Sequence, residues 1–394
     1  MKPGGKDVVS LPPAVKRLRF YREVRLSPLR APVVRYRLDA KRLARPLSEL
    51  DRRRELFEHL VIDPIHTEWF RHRAWVRTIH GTTRIEGNTL NALEVEELLA
   101  EPSAKFDRKE ALEVLNTREA LEFGDRIAKD RKIKIDEPLV REIHGRVLDG
   151  IDPLLRPGQY RTGPKVVADP NGGNIFATPV SGDVPQLMRE FGLWLRAGFD
   201  RQPAPVAAAL AHLELVAIHP FFDGNGRTAR ALARVFLVRY GLALAGLVSL
   251  EAYLDINRSR YFAAIRRSLG RSYRPGYDAT PFVVYLVNSI SGAADHALAR
   301  IRGLGQVLVA LRRDLIDGKL PRRMLDGLVY AWINGSIRPA DYIRITGASS
   351  QNATRDFNAV VARSYLVPHG ATKRRRYVIG ERLQALGPLP AAVT

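Results

Sequence analysis

The sequence predicts a mainly α-helical protein: a helical bundle that carries one exposed β-hairpin and ends in a small helix-turn-helix unit with a β-ribbon. Apolar residues recur at helical spacing from Leu47 almost to the C-terminus. One segment, Pro157 to Pro179, instead shows short β-branched runs about a Pro-Asn-Gly-Gly turn. From residue 305 onward the chain reads as three short helices and then an alternating ribbon.

Residues 1–45 mix Pro, Arg and Val without a helical period and read as an extended arm. With the first helix they form a basic N-terminal unit, residues 1–60. In that helix SELDRRRELFEHLV places Leu50, Leu56 and Leu60 on one face. Helices are expected at Trp69–Thr78, Leu93–Ala100, Lys109–Ala128 and Glu137–Leu148. After the hairpin they are expected at Val184–Ala197, Ala204–Ile218, Thr228–Tyr240, Arg260–Leu269 and Pro281–Gly303. The central unit thus covers residues 61–304. In residues 305–394, helices are expected at Arg322–Asn334, Pro339–Ile345 and Ser349–Tyr365, with Gly347 in a turn. LVPHGATKRRRYVIG then alternates like a two-stranded wing with Lys373–Arg376 at its tip, the winged-helix pattern. Its third helix offers Gln351, Asn352, Arg355 and Asn358 to base edges, so DNA is one candidate partner. A protein-interaction or dimerisation module is the other use of such a unit, and a homodimer belongs to that reading.

The chain of 394 residues is 45% apolar, enough for a sizeable core, and contains no cysteine, which excludes disulfides and thiolate metal sites. MKPGGKDVVSLPPAV lacks the apolar run of a signal peptide. The longest apolar stretch, Ala231 to Leu250, carries Arg234 and Arg239 and reads as core, not membrane span. A soluble, cytoplasmic protein with no membrane partner is expected. The net charge is +21, concentrated at the ends: residues 1–60 hold 16 basic and 7 acidic side chains, and residues 305–394 hold 14 and 6. Basic ends favour an anionic partner, although an excess of Arg over Lys also reflects a GC-rich gene.

The chemistry concentrates in His219-Pro220-Phe221-Phe222-Asp223-Gly224-Asn225-Gly226-Arg227-Thr228-Ala229-Arg230. This loop runs between two apolar helices into a helix N-terminus. Gly224 and Gly226 let backbone amides converge into an anion nest, and the helix adds its positive dipole end. Arg227 and Arg230, three apart, are placed for phosphate oxygens. Asp223 is a hard oxygen ligand suited to Mg²⁺ held together with phosphates. His219 is the group whose pKa permits proton transfer near neutral pH. Together they describe a phosphate-transfer site. A structural role for a lone histidine is the ordinary alternative, and His212 with His219 alone makes a poor zinc site. The glycine spacing fits neither the Rossmann fingerprint nor the P-loop.

His219 to Arg230 resembles the full signature of the Fic family, H-P-F-x-[D/E]-G-N-G-R-x-x-R, and the likeness extends over roughly residues 60–300. The resemblance implies a protein adenylyltransferase that moves AMP from ATP, with Mg²⁺, onto a Ser, Thr or Tyr hydroxyl of a target protein. His219 is then the base, and Asp223, Gly224, Asn225, Gly226, Arg227 and Arg230 hold the nucleotide and its metal. Tyr261-Phe262 resembles the pair beside the adenine pocket, so Tyr261 is expected to contact the nucleotide. The hairpin 159–179, opened by Tyr160-Arg161, resembles the flap that docks the target, with Asn174, Ile175 and Phe176 as docking residues. Thr82-Thr83-Arg84-Ile85-Glu86-Gly87 resembles the inhibitory motif, on a helix about residues 80–90, and implies that Glu86 pairs with Arg230 where the γ-phosphate would sit. Two other readings stay open: a hydrolase that removes AMP at the same site, and a DNA-binding regulator that uses the fold as a nucleotide sensor.

Overall fold

A computed structural model describes residues 36–102, 106–168, 175–197, 202–242, 244–371 and 375–387. The expected arm up to residue 35 and the flap residue Asn174 lie outside the described residues, as do Lys373 and Arg374.

Order begins before the expected first helix. Strand β1 (Tyr36–Arg37) pairs in parallel with β4 (Tyr277–Asp278). Helix α1 (Ala40–Glu58) starts at an Asp39 cap and runs through Pro46, so residues 40–45 are helix and not arm. Leu43, Leu47, Leu50 and Phe57 make its buried face, whereas Leu56 is 50% exposed, a correction to the expected stripe. Four helices follow: α2 (Pro64–Ile85), α3 (Ala92–Ala100), α4 (Arg108–Lys129) and α5 (Glu137–Val147). Aspartate or asparagine caps each of them: Asp63, Asn91, Asp107 and Asp136 accept first-turn amides.

The hairpin exists as β2 (Val166–Ala168) and β3 (Ile175–Ala177), antiparallel, with Val167 opposite Phe176. Beyond it come α6 (Val184–Ala197), α7 (Ala204–Ile218) and α8 (Asn225–Arg239). Helix α7 is apolar on almost every side and buried on almost every side, as the central element of a bundle must be. Each fully buried leucine or isoleucine there contributes about 1.5–3 kcal/mol. Helix α8 packs on α7, α4 and α5. A short helix, α9 (Leu250–Ile256), escaped the sequence reading because seven residues show too little period; Ser249 caps it, and it crosses α2. Then come α10 (Arg258–Leu269) and α11 (Thr280–Ile316).

Helix α11 runs straight through Gly303, where the helix was expected to end, and through the expected unit boundary at residues 304 and 305. A glycine inside a helix costs about 1 kcal/mol. That is small beside the burial of Leu298, Leu304, Val307 and Leu311. The C-terminal unit is therefore built onto a core helix. It holds α12 (Met324–Asn334), β5 (Ser336–Ile337), α13 (Pro339–Thr346), α14 (Ser350–Val361), β6 (Leu366–His369), β7 (Arg376–Ile379) and α15 (Glu381–Ala385). The strands form one antiparallel sheet in the order β5-β7-β6, one strand more than expected. Tyr365 and Arg382 both bond Asp314 on α11, and Tyr330 meets Trp69 of α2 edge to face at 5.3 Å. Gln351, Arg355 and Asn358 are exposed on α14. Arg376 is not a tip residue: it is buried and donates to Leu93 O at 3.1 Å, at the first turn of α3. No helix among the described residues is long and apolar enough to cross a membrane.

Candidate active site

Helix α7 ends where the motif begins. His219 closes it in the left-handed conformation (φ 49°), and Pro220 prevents its continuation. A non-glycine residue costs about 1–2 kcal/mol in that region, so the turn is held by its surroundings. Arg161 supplies much of the hold. Its guanidinium, 2% exposed, donates to His219 O (2.9 Å), Gly163 O (3.0 Å) and Pro179 O (2.6 Å), and its own amide donates to Pro220 O. One side chain thus ties both ends of the hairpin to the residue after α7.

The imidazole of His219 faces Val216 O through Nδ1 at 3.4 Å. With the Nδ1 proton there, Nε2 keeps its lone pair. Burial is the main reason that the His219 pKa falls to about 4, with Lys165 and Arg161 adding to the fall. The ring is neutral at pH 7 and able to accept a proton.

The loop between His219 and α8 is shaped from within. Asn225 Oδ1 accepts the Phe221 amide (3.0 Å) and Nδ2 donates to Phe221 O (2.9 Å). Gly224, at φ 71°, precedes α8 without a side-chain cap, which leaves the first-turn amides facing the loop. Arg227 is buried between Asp223 (3.3 Å) and Glu113 (3.7 Å), with Nε and Nη1 unbonded among the described residues. Asp223 is 49% exposed, the carboxylate of the loop that solvent reaches.

Arg230 is buried and fully occupied. It donates from Nε to Thr82 Oγ1 (2.7 Å), and from Nη2 to Thr82 O (2.9 Å) and Glu86 Oε1 (2.7 Å). Burial alone would lower its pKa, but Glu86 and Tyr261 raise it above the usual value. Glu86 follows the last turn of α2, so the carbonyl end of that helix and a carboxylate together receive the guanidinium. The same carboxylate lies over the start of α8: a methyl group added at Gly226 would overlap Glu86 Oε1. Glu86 thus sits on the anion nest.

Residues 134–237 match the Fic/DOC family model. The chain carries a Fic domain. It is 33% identical over 201 residues to protein adenylyltransferase Fic of Drosophila ananassae, covering 50% of this chain and 39% of that protein. To the protein of the same name from Drosophila willistoni it is 36% identical over 172 residues, covering 43% and 33%. The chain therefore spans only about two fifths of the length of the first of these relatives and a third of the second. Among solved structures, a Fic family protein from Desulfovibrio desulfuricans aligns with TM-score 0.56 at 20% identity, over 89% of this chain and 98% of that one. Fic-1 from C. elegans (residues 134–508) aligns with TM-score 0.52 at 25% identity, over 66% and 72%.

The structure brings together His219, Asp223, Gly224, Asn225, Gly226, Arg227 and Arg230, and adds Glu86 from the end of α2. Two roles change. The polar atoms of Asn225 are spent on Phe221, so its side chain shapes the loop. Tyr261 is 1% exposed and its hydroxyl meets His212 Nε2 at 2.8 Å, while His212 stacks on Phe282. Tyr261 therefore braces the buried side of Arg230. His212 is a core residue. In the flap, Phe176 is half-buried against the core. β3 is backed by a bridge between Ala177 and Ser272, with Ala177 N–H donating to Arg271 O.

His144 was missed by the sequence reading. Its ring stacks on Phe221 at 3.6 Å, Nδ1 accepts the Gly158 amide (2.9 Å), and Nε2 therefore donates to Asp223 O (3.0 Å). Nothing local marks it, because it lies on α5, far along the chain from the loop it supports.

The overlap at Gly226 makes a specific prediction. Gly226→Ala destabilises the wild type by about 1–3 kcal/mol through overpacking. In a Glu86→Gly background the cost falls to nearly zero, since alanine also favours the helix. Denaturant midpoints of the four proteins measure the coupling. Equal costs in both backgrounds would place Glu86 elsewhere in solution.

Proposed function

We propose that the chain is a protein adenylyltransferase that transfers AMP from ATP to a hydroxyl side chain of a target protein and is restrained by Glu86. The observation that carries this is the assembly, at one helix N-terminus, of a neutral histidine with free Nε2, an anion nest and the partly unbonded Arg227. The triphosphate lies along Gly224–Gly226, and Arg227 stabilises the charge developing on pyrophosphate. Asp223, the accessible carboxylate beside Arg227, fits a Mg²⁺ ion that arrives with the phosphates; when bound, the ion neutralises phosphate charge. The target segment adds as a strand to the flap, which Arg161 keeps in register with His219. The target oxygen attacks the α-phosphorus, its proton passes to His219 Nε2, and the bond to pyrophosphate breaks. The cysteine-free chain suits a reducing, cytoplasmic setting.

Incubating the protein and a native extract with α-labelled ATP tests the reading: label appears on a protein band. Label only after addition of AMP-modified target, as released AMP, would replace transfer by hydrolysis. One observation favours that second reading. Glu86 binds Arg230 through Oε1 alone, and its side chain is 35% exposed, so the other oxygen is free to orient water.

For the C-terminal unit we propose a winged helix that presents Gln351, Asn352, Arg355 and Asn358 to DNA. Arg355→Glu should then weaken binding and flatten its salt dependence. Arg376→Glu should instead destabilise the fold, because that residue is buried against α3. Gel shifts at low salt check both, and absence of any shift would leave a protein-interaction role.

A further inference from the structure

Between α2, α3, α9 and the C-terminal sheet lies a cleft of about 570 Å³. Its cationic lining is Arg73, Arg77 and Arg84 from α2 with Arg376 from the sheet, and the imidazoles of His80 and His369 join them. Three carboxylates share its wall, and each is engaged. Glu94 accepts the Asn91 amide (2.8 Å), Glu97 pairs with Arg376 (3.8 Å) and Asp255 with Arg84 (3.6 Å). Arg77 has no hydrogen bond or ion pair among the described residues; it is half-buried, and desolvation with the charge of Arg73 lowers its pKa to about 10. Arg73 is 2% exposed, has among the described residues one ion pair, with Glu96 at 4.0 Å, and keeps Nη1 without a hydrogen bond, as His80 keeps Nε2. Arg300, half-buried and donating to Ile333 O, adds a third guanidinium that repels the first two.

Buried cations without counter-ions are costly, and natural sites of this kind are completed by an anion. A second cavity of about 340 Å³ shares Arg73, Leu93 and His369 with the cleft and continues it past Arg300 to Trp332 and Ile333. The combined space accepts a phosphate group with a flat or apolar part attached. We infer that this cleft is a binding site for a phosphate-bearing small molecule, separate from the Fic site, with the phosphate held by Arg73 and Arg77.

The test is thermal unfolding of the full chain in inorganic phosphate or AMP, with ionic strength matched by chloride, for wild type and Arg77→Gln. Wild type should gain about 3–5 °C near saturation. Arg77→Gln should bind about 10–100-fold more weakly. Without ligand the variant should be at least as stable as wild type, because it loses a half-buried charge that Arg73 repels. Only the part of the gain lost in Arg77→Gln reads the cleft: if AMP supplies that part at lower concentration than phosphate, the ligand is an organic phosphate, and equal action identifies the inorganic ion. Three results would overturn the site. One is no gain in wild type with either probe. Another is a gain undiminished in Arg77→Gln, which assigns the ion to the Gly224–Gly226 nest. The third is an empty Arg77→Gln less stable than wild type, which makes the guanidinium structural.

Discussion

Replacing His219 by alanine is expected to lower AMP transfer by about 100- to 10,000-fold, the usual cost of losing a general base. The structure separates the ring's role from that of its backbone. Arg161 holds His219 through the carbonyl oxygen, which the substitution keeps. Among the described residues the imidazole's one hydrogen bond is the 3.4 Å contact to Val216 O, so few polar interactions are lost with it. Alanine is mildly strained at φ 49°, and His219→Asn is the better companion because asparagine tolerates that region. Both variants should bind ATP, unfold near the wild-type temperature and fail to label a target. Transfer by His219→Asn at near wild-type rate would remove the base from this residue.

Glu86→Gly should act in the opposite direction and raise transfer by about 10- to 100-fold, the worth of a charge-assisted hydrogen bond converted to a population. In the wild type, Arg230 spends Nη2 on Glu86 and Thr82, and the carboxylate lies over Gly226. An incoming triphosphate meets an occupied guanidinium and a negative charge on its own nest. The internal carboxylate wins because its effective concentration is high. Removing it leaves Arg230 fixed by Thr82 Oγ1 and Thr82 O, already aimed at the vacated space. Initial rates with α-labelled ATP are the proper readout, since affinity for ATP does not report alignment of the α-phosphorus. The double variant Glu86→Gly with Arg230→Ala should lose most of the gain. Equal rates for wild type and Glu86→Gly would mean that the end of α2 does not restrain the site.

Much of the helical plan was legible from periodicity, and the misses have particular causes. Helix α1 began early because Asp39 caps it ahead of a proline that the helix tolerates. Helix α11 ran on because buried leucines outweigh a glycine's propensity. Leu56 matched a helical stripe, yet that stripe was one of two that α1 offers, and packing chose the one with Leu43, Leu47 and Leu50.

The sequence by itself determined the chemistry of residues 219–230. That chemistry is contiguous, and its geometry follows from a helix end, a left-handed turn and a helix start, all local properties of the chain. Only the tertiary structure decided what faces this loop. His144 and Arg161 reach it from α5 and the flap, while Glu86, whose pairing with Arg230 the resemblance had implied, reaches it from the end of α2, 144 positions away. Tyr261 was turned inward onto His212, and Arg376 was drawn from the wing into α3. Such contacts depend on which helix faces meet when apolar surface is buried. Periodicity shows that each helix has an apolar face, but the choice of partner lies in packing across the whole core.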